Sequence, residues 1–286
     1  MSIASIQSKY PSAIWFDSAH TGTESGTVDE PYNTIEEAIT NTSSGGVIAI
    51  KNGTHNVSTS QSLTKPLTFV GESTDAILNF NGSYGSSGML NLTGVTGDTL
   101  IESLRIDHTG SATATSGLIK PGNGDLTIDG CKMFRSTGTS WFIGSGSTAT
   151  AGLYVKNSII TGQQAVNYGM LMGNNSVQGW QTASFVNCLI LHTPTSGSLV
   201  IFSGATTGMT SVIVHNNIIY GVDTGRSDTI LNITPTSYKS NLYYNCNETS
   251  GGTGNFFNVD PQFVDYTNGD YRLRPSSPCI NAGTAS

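Results

Sequence analysis

Short apolar stretches with a two-residue period return along the chain in nearly the same layout. One series of six-residue segments starts at Ile101, Ile128, Val155, Val186, Val214 and Tyr238, with spacings of 27, 27, 31, 28 and 24. A second series, out of phase with it, begins at Leu118, Phe142, Leu171, Ile201 and Leu231, with spacings of 24, 29, 30 and 30. Two interleaved strand series repeating at roughly 20–50 residues mark a solenoid. Each strand is too short to bury a face alone, so successive coils must stack at about 4.8 Å and complete one another's backbone hydrogen bonds. The third residue of each first-series segment is Ser103, Gly130, Asn157, Cys188, Asn216 or Ser240. Small residues and Asn suit a sharp bend at positive φ. Each segment is therefore expected to be two strands meeting at a corner. With the second series, that predicts an all-β chain: a single-stranded right-handed parallel β-helix with three strands per coil. A sandwich of antiparallel hairpins would want turn signals every 8–12 residues or so and leaves the long period unexplained.

A solenoid has to close its ends, where apolar core and unpaired strand edges would otherwise face water. The stretch Asp29-Glu-Pro-Tyr-Asn-Thr-Ile-Glu-Glu-Ala-Ile39 reads as a short capping helix. Asn33 or Thr34 serves as its cap, and Ile35, Ala38 and Ile39 form its apolar stripe. The expected organisation is an N-terminal segment, helix and first coil over 1–62, coils over 63–256, and a closing coil over 257–286.

The stretch from Gly26 through this helix to Ile39, with Gly45-Gly-Val-Ile-Ala-Ile50 and Gly53-Thr54, resembles the opening of pectin-lyase-like β-helix proteins. The segments Asp260-Pro-Gln-Phe-Val-Asp265, Gly269-Asp-Tyr-Arg-Leu273 and Ser277-Pro-Cys-Ile-Asn-Ala-Gly283 resemble the closing coil of bacterial and phage β-helix repeat proteins. The resemblance implies the fold over nearly the whole chain. It leaves the activity open, because the fold hosts lyases, hydrolases, adhesins and phage tailspikes alike.

Charged residues make up only 11 % of the 286 residues and the net charge is −7, so neutral polar groups must form most of the surface. The acidic balance argues against nucleic acid and anionic membrane as partners. No apolar run approaches the roughly 20 residues of a membrane span. The first nine residues hold no apolar core of a secretory leader, so either a leader has been removed or the chain leaves its cell by another route, of which virion assembly and lysis is one. Cys131, Cys188, Cys246 and Cys279 are scattered and are read as small buried side chains.

For chemistry, the outward row beside the corner reads Glu102, Asp129, Lys156, Asn187, His215 and Lys239. Glu102 and Asp129 lie one coil apart, about 5 Å if in register, which suits paired carboxylates of a hydrolase. Asp107 and His108 follow in the same segment and complete the catalytic candidates; a solvated strand face is the plainer reading. No cofactor is required. Calcium is the one left open, on Asp98 and Asp125 with Glu102 or Asp129, against a turn-capping role for those aspartates. Trp141, Tyr168 and Trp180 are the candidates for stacking on sugar rings. A second outward row runs Arg105, Lys132, Ile159, Ile190, Ile218 and Leu242, and its apolar part, joined by Phe185 and Ile213, would form an interface. If the strand phase is off by one, the same residues are core.

These features combine into an expected function: a virion spike or receptor-binding protein that contacts a bacterial surface glycan as a homotrimer. The alternatives are a polysaccharide lyase or glycoside hydrolase, and a non-catalytic structural decoration or adhesin module.

Overall fold

The computed structural model describes residues 1–84, 88–110, 118–135, 142–144, 151–164, 172–173, 180–194, 210–221, 236–246 and 251–284. The chain is a right-handed parallel β-solenoid with three sheets. The first sheet has nine strands, from Ile14–Phe16 to Ser237–Lys239, and the second has nine, from Gly53–Val57 to Phe256–Phe257. Among the described residues the third has five short ones, from Gln61–Ser62 to Met172–Gly173. All three are parallel in strict coil order.

The inward columns explain the period. Ile48, Phe69, Ile101, Ile128, Val155, Phe185 and Val214 pair in register down the first sheet. They are 0–3 % exposed, one apolar side chain per coil. The corner between the first and second sheets is a column of left-handed residues: Ser103, Gly130, Asn157, Asn187, Asn216 and Ser240, with φ between 52° and 62°. Short polar side chains and glycine tolerate this region, where a branched residue would be strained.

Here the sequence reading slips by one in a single coil. The segment assigned to Val186 starts at Phe185, because Phe185 pairs with Val155 and Val214. Phe185 is core at 1 % exposure, Asn187 rather than Cys188 turns the corner, and Leu189 rather than Ile190 faces outward. Phe185 and Val186 are both apolar, so the period alone could not choose between them. The true outward column is Arg105, Lys132, Ile159, Leu189, Ile218 and Leu242. Of the residues proposed as an exposed interface, Ile190, Phe185 and Leu242 are buried. Ile159 and Ile218 face outward half-buried on the second sheet, and Ile213 does so on the first.

Two helices lie near the N-terminus, one closing the end of the solenoid and one packed on its outer face. The predicted cap is α2, Ile35–Asn41; the Thr34 side chain accepts from Glu37 N, and Ile35 and Ala38 join the main core. A second helix, α1, Ile3–Lys9, was not expected. Ser2 and Ser5 form a reciprocal capping box, and Ile6 is fully buried in a small cluster with Trp15, Ala49 and Val70 on the outer face of the first sheet.

At the other end, Phe263–Asp265 and Asp270–Leu273 form an antiparallel hairpin. Its rings meet the second sheet: Tyr220 stacks on Tyr266 at 4.4 Å and lies 5.8 Å from Phe263. Thr284 N donates to Asn216 Oδ1 and Asn216 Nδ2 donates to Thr284 O, both 2.9 Å. The apolar column is thus partly covered by the chain's own C-terminal segment. Cys131, Cys188 and Cys246 are buried as expected, whereas Cys279 is half-buried in this segment.

Candidate functional site

Side chains alternate across a strand, so every second residue of the first sheet faces outward. One outward column runs Trp15, Ala49, Val70, Glu102, Asp129, Lys156, Val186, His215 and Lys239. The next runs through Thr127, Tyr154, Ser184, Ile213 and Ser237. Helix α1 covers the first column as far as Glu102. Beyond it lies a groove of about 500 Å³ lined by Tyr154, Lys156, Asn157, Ser184, Ile213 and His215 among others.

Glu102 and Asp129 are in-register neighbours, as the spacing predicted. Each is tied to its own lysine. Lys9 Nζ is 3.0 Å from both Glu102 oxygens, and Tyr10 Oη donates to Oε1 at 2.7 Å. Asp129 pairs with Lys156 at 3.2 Å and accepts from Asn157 Nδ2 at 2.8 Å. The hydrogen bonds that Lys9 gives to Tyr10 and to Glu102 raise the Lys9 pKa, and burial raises that of Tyr10. Glu102 therefore anchors α1.

The other two catalytic candidates lie elsewhere. Asp107 sits around the corner on the second sheet and accepts from Arg105 Nε at 2.7 Å. His108 points into the solenoid, fully buried, with its ring 6.2 Å from Tyr84. The four do not form one constellation. Asp98 and Asp125 accept backbone hydrogens of the following coil, from Asp125 N at 3.1 Å and Gly152 N at 2.7 Å respectively, which is the turn-capping role. Among the described residues no three or more His, Cys, Asp or Glu side chains cluster as metal ligands. Trp180 is core at 3 % exposure, so it does not present a ring to a sugar. Trp141 and Tyr168 lie outside the described residues.

His215 is the feature of this groove that the candidate set lacked, although it stood in the outward row. It is 9 % exposed, and its Nε2 lies 2.7 Å from Ser237 Oγ. Burial, then the neighbouring Lys239 charge, lower its pKa, so the ring is neutral at pH 7. Tyr154 and Ile213, both half-buried, supply an apolar floor between these polar groups.

No protein-family profile matches the chain, and no curated protein does. Among solved structures it is similar to the pectin methylesterase of Aspergillus niger in its deglycosylated form. The two are 15 % identical over 93 % of this chain and 90 % of that chain, with a TM-score of 0.55. The chain has the pectin-lyase-like β-helix fold. The penultimately deglycosylated form of the same enzyme superposes at a TM-score of 0.45, with 14 % identity over the same shares. Within the pectin-lyase-like fold, the outer faces of this chain are set by its own two ends: α1 on the first sheet and the C-terminal hairpin on the second.

Proposed function

We propose that the protein binds a polysaccharide along the outer face of the first sheet, beyond α1. The observation that carries this is the groove of Tyr154, Ile213, Lys156, Asn157 and His215, an apolar floor edged by hydrogen-bonding groups. A sugar ring needs that combination: a ring face to lie on and polar partners for its hydroxyls. The likeness to a pectin methylesterase supports a polysaccharide as the class of ligand. The finer reading is a virion spike that contacts a bacterial surface glycan and works as a homotrimer. Its trimer contact falls elsewhere than the apolar column, which the C-terminal segment partly occupies.

Glu102 and Asp129 each hold a lysine, so this carboxylate pair is committed to structure, which favours binding over hydrolysis or elimination by that pair. The test is affinity electrophoresis against a panel of bacterial capsular and cell-wall polysaccharides. A retarding polysaccharide is expected, with retardation weakened at least tenfold by Tyr154→Ala and unchanged by Lys51→Ala, at a position that follows the strand Val47–Ile50 and does not line the groove. Equal retardation of both variants overturns the site, and shortening of the polysaccharide overturns the non-catalytic reading.

A further inference from the structure

On the second sheet, the outward column from Arg105 to Leu242 has a polarity of its own. Two cations, Arg105 and Lys132, are followed in register by Ile159, Leu189, Ile218 and Leu242. Parallel stacking sets these side chains about 4.8 Å apart, so the column changes from charged to aliphatic in a single step. Leu242 is buried, whereas Ile159, Leu189 and Ile218 remain half-buried. Between them and the hairpin lies a cleft of about 700 Å³, lined also by Phe134 and Tyr271. Its size falls within the roughly 300–1,000 Å³ of pockets that enclose small molecules.

The charge at its head is not neutralised. Asp107 engages Arg105 through Nε at 2.7 Å, and the Arg105 guanidinium lies 5.7 Å from the Phe134 ring centre. Lys132 is exposed and has no ion pair among the described residues. On the hairpin side, Arg272 is matched by Asp270 at 2.6 Å. The cleft therefore keeps an unmatched positive charge in a chain of net charge −7.

We propose that this cleft binds a single-chain anionic amphiphile, such as a free fatty acid. Its acidic head lies at Lys132 and Arg105, and its apolar chain lies along Ile159, Leu189 and Ile218 beside the hairpin. Both halves of the ligand follow from the column: the aliphatic residues lose their remaining water contact under the chain, and the head group meets Lys132, which has no ion pair among the described residues. The hairpin walls one side, which suits a single extracted molecule rather than a bilayer surface. This site is on a different face from the proposed glycan groove and does not depend on it.

The test is isothermal titration of the full chain with laurate below its micelle concentration. Dodecyltrimethylammonium and dodecanol serve as charge controls, and phosphatidylglycerol vesicles as the bilayer arm. Saturable one-to-one binding of laurate is expected, at least tenfold tighter than either control. Lys132→Glu, an exposed position that leaves the core untouched, should weaken laurate at least tenfold. Ile159→Thr should weaken laurate with melting temperature preserved. Equal binding of the cationic and anionic chains, laurate binding unmoved by Lys132→Glu, or binding to vesicles alone would each overturn the proposal.

Discussion

Asn217, Asn241 and Asn255 stand one above another just inside the corner and hydrogen-bond as a ladder. Asn241 Oδ1 accepts from Asn217 N at 3.0 Å and from Asn217 Nδ2 at 2.9 Å; Asn241 Nδ2 donates to Val214 O at 2.7 Å. Asn217 and Asn241 are 0–1 % exposed, so their backbone groups depend on these side chains for partners. Asn241→Ala leaves the buried Asn217 N–H without its partner, at a cost of about 1–3 kcal/mol. A urea midpoint lowered accordingly is the expected result; an unchanged midpoint would show that water replaces the amide. His215 makes a different prediction. Its pKa lies below the usual 6.5 in the folded chain. The unfolded chain then takes up the proton first, so the contribution of His215 is complete above pH 6.5. It is lost as the pH falls from 6.5 through the lowered value. Melting temperature should drop across that window in the wild type and less in His215→Gln. Five of the six corner residues were legible in the sequence because positive φ restricts the choice of residue; Asn187 was missed for Cys188. The ladder was not legible, because Asn217 and Asn241 read equally well as turn residues until their strands were placed.

Helix α1 is seven residues long and far too short to be stable alone, so its docking supplies its stability. Ile6 enters the Trp15, Ala49 and Val70 cluster while Lys9 and Tyr10 hold Glu102. Ile6→Asp is expected to release the helix without unfolding the coils, seen as a red shift of tryptophan fluorescence and loss of amide protection in Val47–Ile50. Lys9 has a raised pKa, so its pairing with Glu102 is intact below 10.5 and is lost as the pH rises through the raised value. The same red shift should therefore grow at alkaline pH, and Lys9→Met together with Tyr10→Phe, which removes the other group that titrates there, should remove that dependence. The sequence hid this helix for a physical reason: two isoleucines three apart in a polar stretch give too little periodicity to stand out. Its partner surface, Trp15-Ala49-Val70, becomes visible only once strand register is known. Helix α2 was legible because a capping residue, two glutamates in its first turn and a three-residue stripe agree.

Across the whole molecule, period and composition were enough to read three parallel sheets, because one stacking rule repeats in every coil. What the chain does at its two ends breaks that rule and could not be extrapolated. The row Ile159, Ile218 and Leu242 pointed to a self-association surface; the C-terminal segment lies against it instead. Leu273, Ala282 and Gly283 flank a cleft that contains Leu189, Ile218 and Leu242. Truncation after Asn258 should therefore uncover three aliphatic side chains, each worth roughly 1.5–3 kcal/mol when fully buried. By light scattering, the truncated chain is expected to self-associate more than the full chain at the same concentration. Equal masses would show that the segment contributes little shielding.

The two end clamps also govern the order of events when the chain folds and frays. Pairing within the sheets joins residues about one coil apart, so coils can add to one another like a closing zipper. The Lys9–Glu102 contact spans 93 residues, and the Asn216–Thr284 contact spans 68. Neither can form until several coils are already stacked, because closing so long a loop has to await a surface that rewards it. The clamps are then the last contacts made and the first released. The rate of unfolding depends on them more than on the interior, whose apolar columns stay protected until a clamp lets go.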